Sequence, residues 1–172
     1  MAMPLDRHEF PQLKSRTALI TGGAGFIGSH LAHALAARGC RVRVLDDLSG
    51  GYAENLPPSA DLTQASILDE KALTRCIAGC DFVFHQAAMV SVPESVEKPE
   101  ECVATNVLGT ERVLQTARDA GVKRVMFAAS AAAYGNAPTL PSTEAHLPDS
   151  WSPYAMSKVS GELLLRTFSR CY

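Results

Sequence analysis

Apolar residues fall in short unbroken runs along the chain, and between the runs lie longer stretches where apolar positions recur every three or four residues. Unbroken runs are how strands buried on both faces of a parallel sheet read, so the pattern predicts repeated strand–helix units. The first run is Thr17–Thr21, followed by a helix from about Phe26 to Arg38 with Gly39 placed to end it. A second strand is expected over Arg41–Leu45. Past a Gly- and Pro-rich loop (Ser49–Pro58), a weaker strand falls near Ala65–Leu68, then a short helix over Asp69–Ala78 with Asp69 as its cap. A fourth strand covers Phe82–His85, a long helix runs from about Glu100 to Ala120 and closes at Gly121, and a fifth strand covers Val125–Ala129. The segment Gly135–Ser152, rich in Pro, Thr and Ser, is too long for a plain connector, and loops of that length are usually functional. The last helix begins near Pro153 and sets Val159, Leu163, Leu164 and Phe168 along one face. The expected fold class is α/β, a doubly wound parallel sheet of Rossmann type.

At 172 residues, 47% hydrophobic and 20% charged, the chain suits one domain, 1–172, with an N-terminal extension (1–15) and a candidate active-site loop (136–152). A net charge of −2 and scattered Lys and Arg residues offer no basic stripe, so no nucleic-acid partner is expected. The first sixteen residues contain Pro4 and Pro11 and mix charged with apolar positions, unlike a secretory signal, and no run approaches the ~18 apolar residues of a membrane span. The expectation is a cytoplasmic chain without membrane contact. Five cysteines, Cys40, Cys76, Cys80, Cys102 and Cys171, form no Cys-x-x-Cys pair and have no zinc-like His spacing, so they read as free thiols and no metal is expected.

Between the first strand and its helix lies TGGAGFIGSHL. Gly22, Gly25 and Gly28 are spaced so that the backbone turns tightly and can approach a pyrophosphate at the helix N-terminus. The alternative is a Gly-rich turn needed only for strand–helix packing. Asp46 ends the second strand eighteen positions past Gly28, where a carboxylate can hold an adenosine ribose; it would repel the extra phosphate of NADP, and no Arg follows it at once. The cofactor expected is therefore NAD. Asp47 could share that role, and for either Asp the alternative is a solvated turn carboxylate.

Tyr154 and Lys158 are four residues apart at the start of the last helix and so share a face. A phenol, with an ordinary pKa of about 10, needs a nearby cation to act as a base at neutral pH. A ring and an amine at helical spacing are also common on any amphipathic helix. Ser130 stands just past the fifth strand, at the sheet edge where open α/β folds place ligands, and could relay a proton or serve as a turn cap.

The ordered series TGGAGFIGSHL, LDDLSGG, HQAAMVSVPESVEKPEE, NVLGTERVL, FAASAAAYG and SPYAMSK resembles the extended short-chain dehydrogenase/reductase family. Within it, the chain is similar to the NAD-dependent epimerase/dehydratase branch, and most to the nucleotide-sugar epimerases related to UDP-glucose 4-epimerase. The resemblance implies Tyr154 as active-site base, Lys158 as its cationic partner on the nicotinamide ribose, and Ser130 as a bridge to the sugar hydroxyl. It implies a cofactor site of Gly22, Gly25, Phe26, Ile27, Gly28 and Asp46, with Ala87 and Ala88 passing beneath and Asn106 a structural or cofactor-side polar group. His85 matches a family position and is equally well a strand-end histidine, while His30 and His33 carry no expected role. The implied reaction removes the hydroxyl proton while NAD takes hydride from the same carbon, and the resulting 4-keto sugar turns before hydride returns. Dehydratases and decarboxylases of the family carry an acid just after the catalytic hydroxyl residue, where this chain has Ala131 and Ala132, so epimerisation is favoured. Ser66 stands where the family usually has an Asp against adenine.

Family members run to about twice this length, a cofactor half plus a substrate half. The expectation is a chain without the later strands and the substrate domain. Its function is then either nucleotide-sugar (UDP-hexose) epimerisation or, as alternatives, NAD binding without turnover, or reductase or dehydratase chemistry. A homodimer is expected through the Glu100–Ala120 and Tyr154–Phe168 helices, whose apolar residues could equally face the sheet.

Overall fold

The structure, a computed structural model, describes residues 13–137 and 139–172; residues 1–12 of the expected extension (1–15), and Pro138 in the 136–152 loop, lie outside the described residues. Five strands, β1 (Thr17–Thr21), β2 (Arg41–Asp46), β3 (Asp61–Gln64), β4 (Phe82–His85) and β5 (Arg124–Phe127), form one parallel sheet in the order β3-β2-β1-β4-β5. The chain winds outward from β1 first one way and then the other, so a crevice opens where β1 and β4 end side by side.

Alternate residues of each buried strand feed opposite cores. Ala18, Ile20, Val42 and Val44 pack with Ala32 and Leu35 of helix α1 (Phe26–Ala36). Leu19, Leu45 and Val83 pack on the other side with Leu73 and Ile77 of α2 (Glu70–Ile77) and Val113 and Ala117 of α5 (Gly109–Asp119). Every residue of β1 is buried, which is why its apolar run was unbroken. On the α1 side Phe82, Phe84 and Met126 line a shallow groove of about 280 Å³ with Leu13, Lys123 and Arg124. Among the described residues no helix is long and apolar enough to cross a membrane and no group of side chains could hold a metal ion.

Several expectations are corrected. The third strand is Asp61–Gln64 rather than Ala65–Leu68, because an edge strand paired only with β2 keeps Asp61 and Gln64 exposed and shows no apolar run. Residues 65–68 instead turn, with Leu68 N–H donating to Ser66 Oγ and Asp69 N–H to Ser66 O. The fifth strand starts one residue earlier and ends at Phe127, and α1 ends at Ala36, after which Gly39 takes the left-handed φ of +75° that turns the chain into β2. Asp69 caps α2 as expected, accepting from the Lys71 and Ala72 amides.

The long helix proves to be α4 (Pro99–Val103), a π-helical turn (Ala104–Leu108) and α5. A further helix, α3 (Val92–Glu97), precedes it, with Ser91 Oγ capping the Glu94 amide. Six residues before a Pro leave too short a pattern to read as a helix. α6 (Pro153–Cys171) starts where predicted, with Ser152 Oγ accepting from Ala155 N–H. Its buried face is Ala155, Ser157, Lys158 and Gly161, however, and Leu163 is exposed. The Phe127 ring fills the space beside Gly161, so only small side chains fit where α6 meets the sheet.

Candidate active site

A cavity of about 690 Å³ opens at the carboxyl ends of β1, β2 and β4. Its floor is the loop from β1 to α1. Gly22 has φ +67°, and a side chain there would meet the Ala87 amide nitrogen at 2.5 Å; a side chain at Gly28 would run into the Gly22 carbonyl. These two glycines are therefore demanded by the loop's own packing. Gly25 differs: its φ is −73°, and a Cβ would touch only the Gly22 oxygen at 3.4 Å. Neither backbone nor neighbours require a glycine there, so the space it leaves belongs to the cavity. Gly25 caps α1 without a side-chain hydrogen bond, leaving the first-turn amides of Phe26, Ile27 and Gly28 for solvent or an anion. Phe26, 81% exposed, and Ile27 line the cavity as well.

Asp46 closes the adjoining wall and is 7% exposed. Its Oδ2 accepts from Ala24 N–H and its Oδ1 from Leu48 N–H, both at 2.8 Å, so the carboxylate fastens the glycine loop to the end of β2. Each oxygen keeps a lone pair for a further donor. Asp47 also lines the cavity but is exposed and engaged with Ser49 N–H and Oγ–H at 3.0 and 2.6 Å, a turn carboxylate. Ser66 lines the cavity while capping its own turn, and Ala87 and Ala88 form the facing wall.

The β4 side is built on polar groups inside the fold. Asn106, on the π turn and outside the cavity, accepts from Met89 N–H (2.8 Å) and donates to Met89 O (3.0 Å) and Ser157 Oγ (2.9 Å). Its carbonyl and both amide protons are thus engaged inside the fold. Fully buried His85 lies between two threonines: Thr21 Oγ1 at 2.7 Å from Nδ1 and Thr110 Oγ1 at 2.9 Å from Nε2. Thr110 gives its own proton to Asn106 O at 2.6 Å, so it accepts from Nε2–H, and Nδ1 accepts from Thr21. Burial, with Lys158 nearby, pushes the His85 pKa down to about 3 and keeps the ring neutral.

Of the three candidate catalytic residues, Lys158 alone lines the cavity. Only 4% exposed, it donates from Nζ to Ala128 O at 3.0 Å, with Nζ 5.0 Å from the Phe127 ring centre and 5.8 Å from that of Tyr154. Burial lowers its pKa from the ordinary lysine value, opposed in part by Cys102. Tyr154 shares its helix face as the spacing predicts. Ser130 caps the turn Ala131–Tyr134, accepting from Ala132 N–H at 3.2 Å, and among the described residues no hydrogen bond joins it to Tyr154. Cys40, Cys76, Cys80 and Cys102 are free and buried, and Cys171 is free and exposed.

Sequence reasoning missed part of the wall. Gly51 packs on the loop, where a Cβ would meet the Ala24 backbone at 2.5 Å, and the Gly50–Gly51 pair behind Asp46 and Asp47 was the available signal. Glu94 of α3, Glu101 of α4 and Thr105 of the π turn also line it; α3 and the π turn gave no signal, and nothing in the predicted helix marked Glu101 as facing the cavity.

The sequence profile of the NAD dependent epimerase/dehydratase family matches residues 18–172. UDP-glucose 4-epimerase of Mycolicibacterium smegmatis is 41% identical over 162 residues, 90% of this chain and 51% of that protein. Among solved structures, UDP-glucose 4-epimerase of Thermotoga maritima with UDP-glucose superposes with a TM-score of 0.87 at 39% identity, covering 91% of this chain and 52% of that one. The Brucella ovis UDP-glucose 4-epimerase in complex with NAD gives 0.87 at 34%, covering 92% and 49%. The chain thus spans about half the length of these relatives.

Proposed function

Because the chain belongs to the NAD dependent epimerase/dehydratase family, we propose that it binds NAD in the β1–β4 crevice and serves UDP-hexose 4-epimerisation. The observation that carries this is the cavity itself, onto which the first-turn amides of α1, the Asp46 carboxylate and the Lys158 ammonium all open. The open space at Gly25 suits a pyrophosphate, and Asp46 suits a free ribose diol over a phosphorylated one.

When bound, NAD supplies a reversible hydride acceptor. The protein's own residues do the rest. Gly22, Gly25, Gly28, Phe26 and Ile27 shape the phosphate end, Asp46 with Asp47 and Ser66 the adenosine end, and Ala87 and Ala88 the wall beneath. Lys158 places a positive charge beside the Tyr154 phenol, as base chemistry at neutral pH requires. Tyr154 would take the proton of the sugar hydroxyl and return it after the sugar has turned; loss of that proton yields the 4-keto sugar only together with loss of hydride from the same carbon, the chemistry that NAD would supply. Ser130, whose Oγ keeps its own proton while capping, is free to donate toward that hydroxyl. Ala131 and Ala132 after it supply no acid for elimination, which favours epimerisation over dehydration. Residues 136–152 connect the Ser130 turn to α6 in sequence and are the proposed active-site loop of the single domain 1–172. The exposed Leu108 and Leu163 suit a homodimer through the helices that carry them.

A second reading is NAD binding without turnover: of the three candidate catalytic residues only Lys158 lines the cavity, and among the described residues no hydrogen bond joins Ser130 to Tyr154. The test is NAD retention after purification together with interconversion of UDP-glucose and UDP-galactose. Epimer formation supports the first reading, NAD retention alone the second, and net NADH formation without an epimer would indicate a reductase. A chain that takes up no NAD would overturn both main readings.

A further inference from the structure

Both backbone polar groups of Tyr154 are held by fully buried serine hydroxyls. Its N–H donates to Ser95 Oγ of α3 at 3.1 Å, and its carbonyl accepts from Ser157 Oγ–H at 2.7 Å. Neither serine ends there. Ser95 gives its proton to Val92 O at 2.7 Å, and Ser157 accepts from Asn106 Nδ2–H at 2.9 Å. Asn106 in turn grips Met89 through both its N–H and its carbonyl. Met89 and Val92 belong to one short stretch of chain, so the hydrogen bonds close a ring: Met89, Asn106, Ser157, Tyr154, Ser95, Val92 and back along the backbone to Met89.

The donors and acceptors are consistent around this ring. Each serine gives one proton and accepts one, and Asn106 uses its carbonyl oxygen and both amide protons. Among the described residues no buried side-chain nitrogen or oxygen lacks a partner. Hydrogen bonds linked in series within a low-dielectric interior reinforce one another, and truncating one member leaves buried groups unpaired. Met89, Val90 and Ser91 line the cavity, so the ring joins the cavity wall to the backbone of the tyrosine.

We propose that Ser95 and Ser157 are positioning residues for Tyr154, setting where its phenol stands relative to whatever occupies the cavity and transmitting occupancy of the Met89–Ser91 wall to it. The proposal rests on the reading of Tyr154 as the acid/base group. Neither serine lines the cavity, and each spends its hydroxyl on the Tyr154 backbone and one further partner inside the fold.

The test is nuclear magnetic resonance of the full chain labelled with 13Cζ-tyrosine, which gives four signals, from Tyr52, Tyr134, Tyr154 and Tyr172. Tyr154→Phe assigns the relevant one. In the parent chain the Tyr154 signal is expected to be a single line that moves on adding NAD. In Ser95→Ala and Ser157→Ala it should split or broaden without cofactor and lose its NAD-induced movement. Ser95→Cys, which keeps the volume but bonds weakly, serves if the alanine variants do not fold, and should show the same loss in part. Thr116→Ala removes a hydroxyl bonded to Arg112 O outside the ring and should leave the signal unchanged. Folded serine variants with a parental Tyr154 line and parental NAD response would overturn the proposal. A parent chain that takes up no NAD would overturn the functional reading instead, while the cofactor-free line shape would still decide the role of the serines.

Discussion

The buried histidine makes stability depend on pH in a way that can be worked out in advance. His85 has a pKa of about 3 in the folded chain against 6.5 for an unperturbed imidazole. The folded state therefore refuses a proton that the unfolded chain accepts below pH 6.5. Stability is fully present above that value and is lost as pH falls, by up to ~1.4 kcal/mol per pH unit until the folded pKa is reached. Between pH 7.5 and pH 5 the expected loss from this residue is about 2 kcal/mol. That interval avoids the salt-bridged Asp81, which hydrogen bonds to Lys123 and to Thr17 N–H hold at about 2, so its contribution is lost only at lower pH. The assay is urea denaturation at pH 7.5, 6.5, 5.5 and 5.0 for the parent chain and His85→Gln. The variant should be less stable at pH 7.5, where Thr21 and Thr110 lose a well-fitted partner, yet flatter across the series by about 2 kcal/mol. Parallel pH curves for the two chains would refute the assignment of a neutral imidazole between two threonines.

Gly25→Ala should unfold within about 0.5 kcal/mol of the parent chain but bind NAD at least about tenfold more weakly by isothermal titration, because its methyl group enters the cavity and meets little else. Gly161→Ala forces a methyl group against Phe127 and should cost about 1–3 kcal/mol in urea denaturation, with NAD affinity reduced because Phe127 also faces the Lys158 ammonium. Asp46→Ala frees the Ala24 and Leu48 amides and should cost about 2–3 kcal/mol by the same measurement, whereas a solvated turn carboxylate would cost almost nothing.

What was legible in the sequence follows burial. β1 could be placed to the residue because every position in it is buried, and β4 because its short apolar run buries Val83 and His85 and half-buries Phe82 and Phe84. β3 was misplaced because half of its residues face solvent, and α3 was missed because six residues give no period. The glycine loop and the Tyr154–Lys158 pair were visible because their spacing is local, and Asp46 because it ends a legible strand, although its hydrogen bond to Ala24 spans 22 positions. The link from Ser95 to Tyr154 spans 59 positions, and that from Asn106 to Ser157 spans 51. Nothing local marks a serine whose partner is that distant, so folding alone reveals how the tyrosine is held.

The π turn in the helix from Pro99 to Asp119 carries an implication for how this chain can change. One residue more than an α-helical turn needs is lodged there, so the helical phase before it is offset from the phase after it. Cys102 and Val103 lie on the earlier phase and Val113 and Leu114 on the later one, while Asn106 sits within the change and Thr110 just after it. Deleting one residue inside 104–108 would leave a smoother α-helix whose two halves keep their relative rotation, because the wide turn already absorbs the ~100° that one residue adds, whereas forcing the turn into α geometry at full length would rotate one half against the other by about 100°. In that second case Asn106 and Thr110 could no longer meet Met89 and His85 together. The wide turn is therefore held by these side-chain partners, and a one-residue deletion inside 104–108 should disturb the rest of the helix far less than an insertion or deletion within α5.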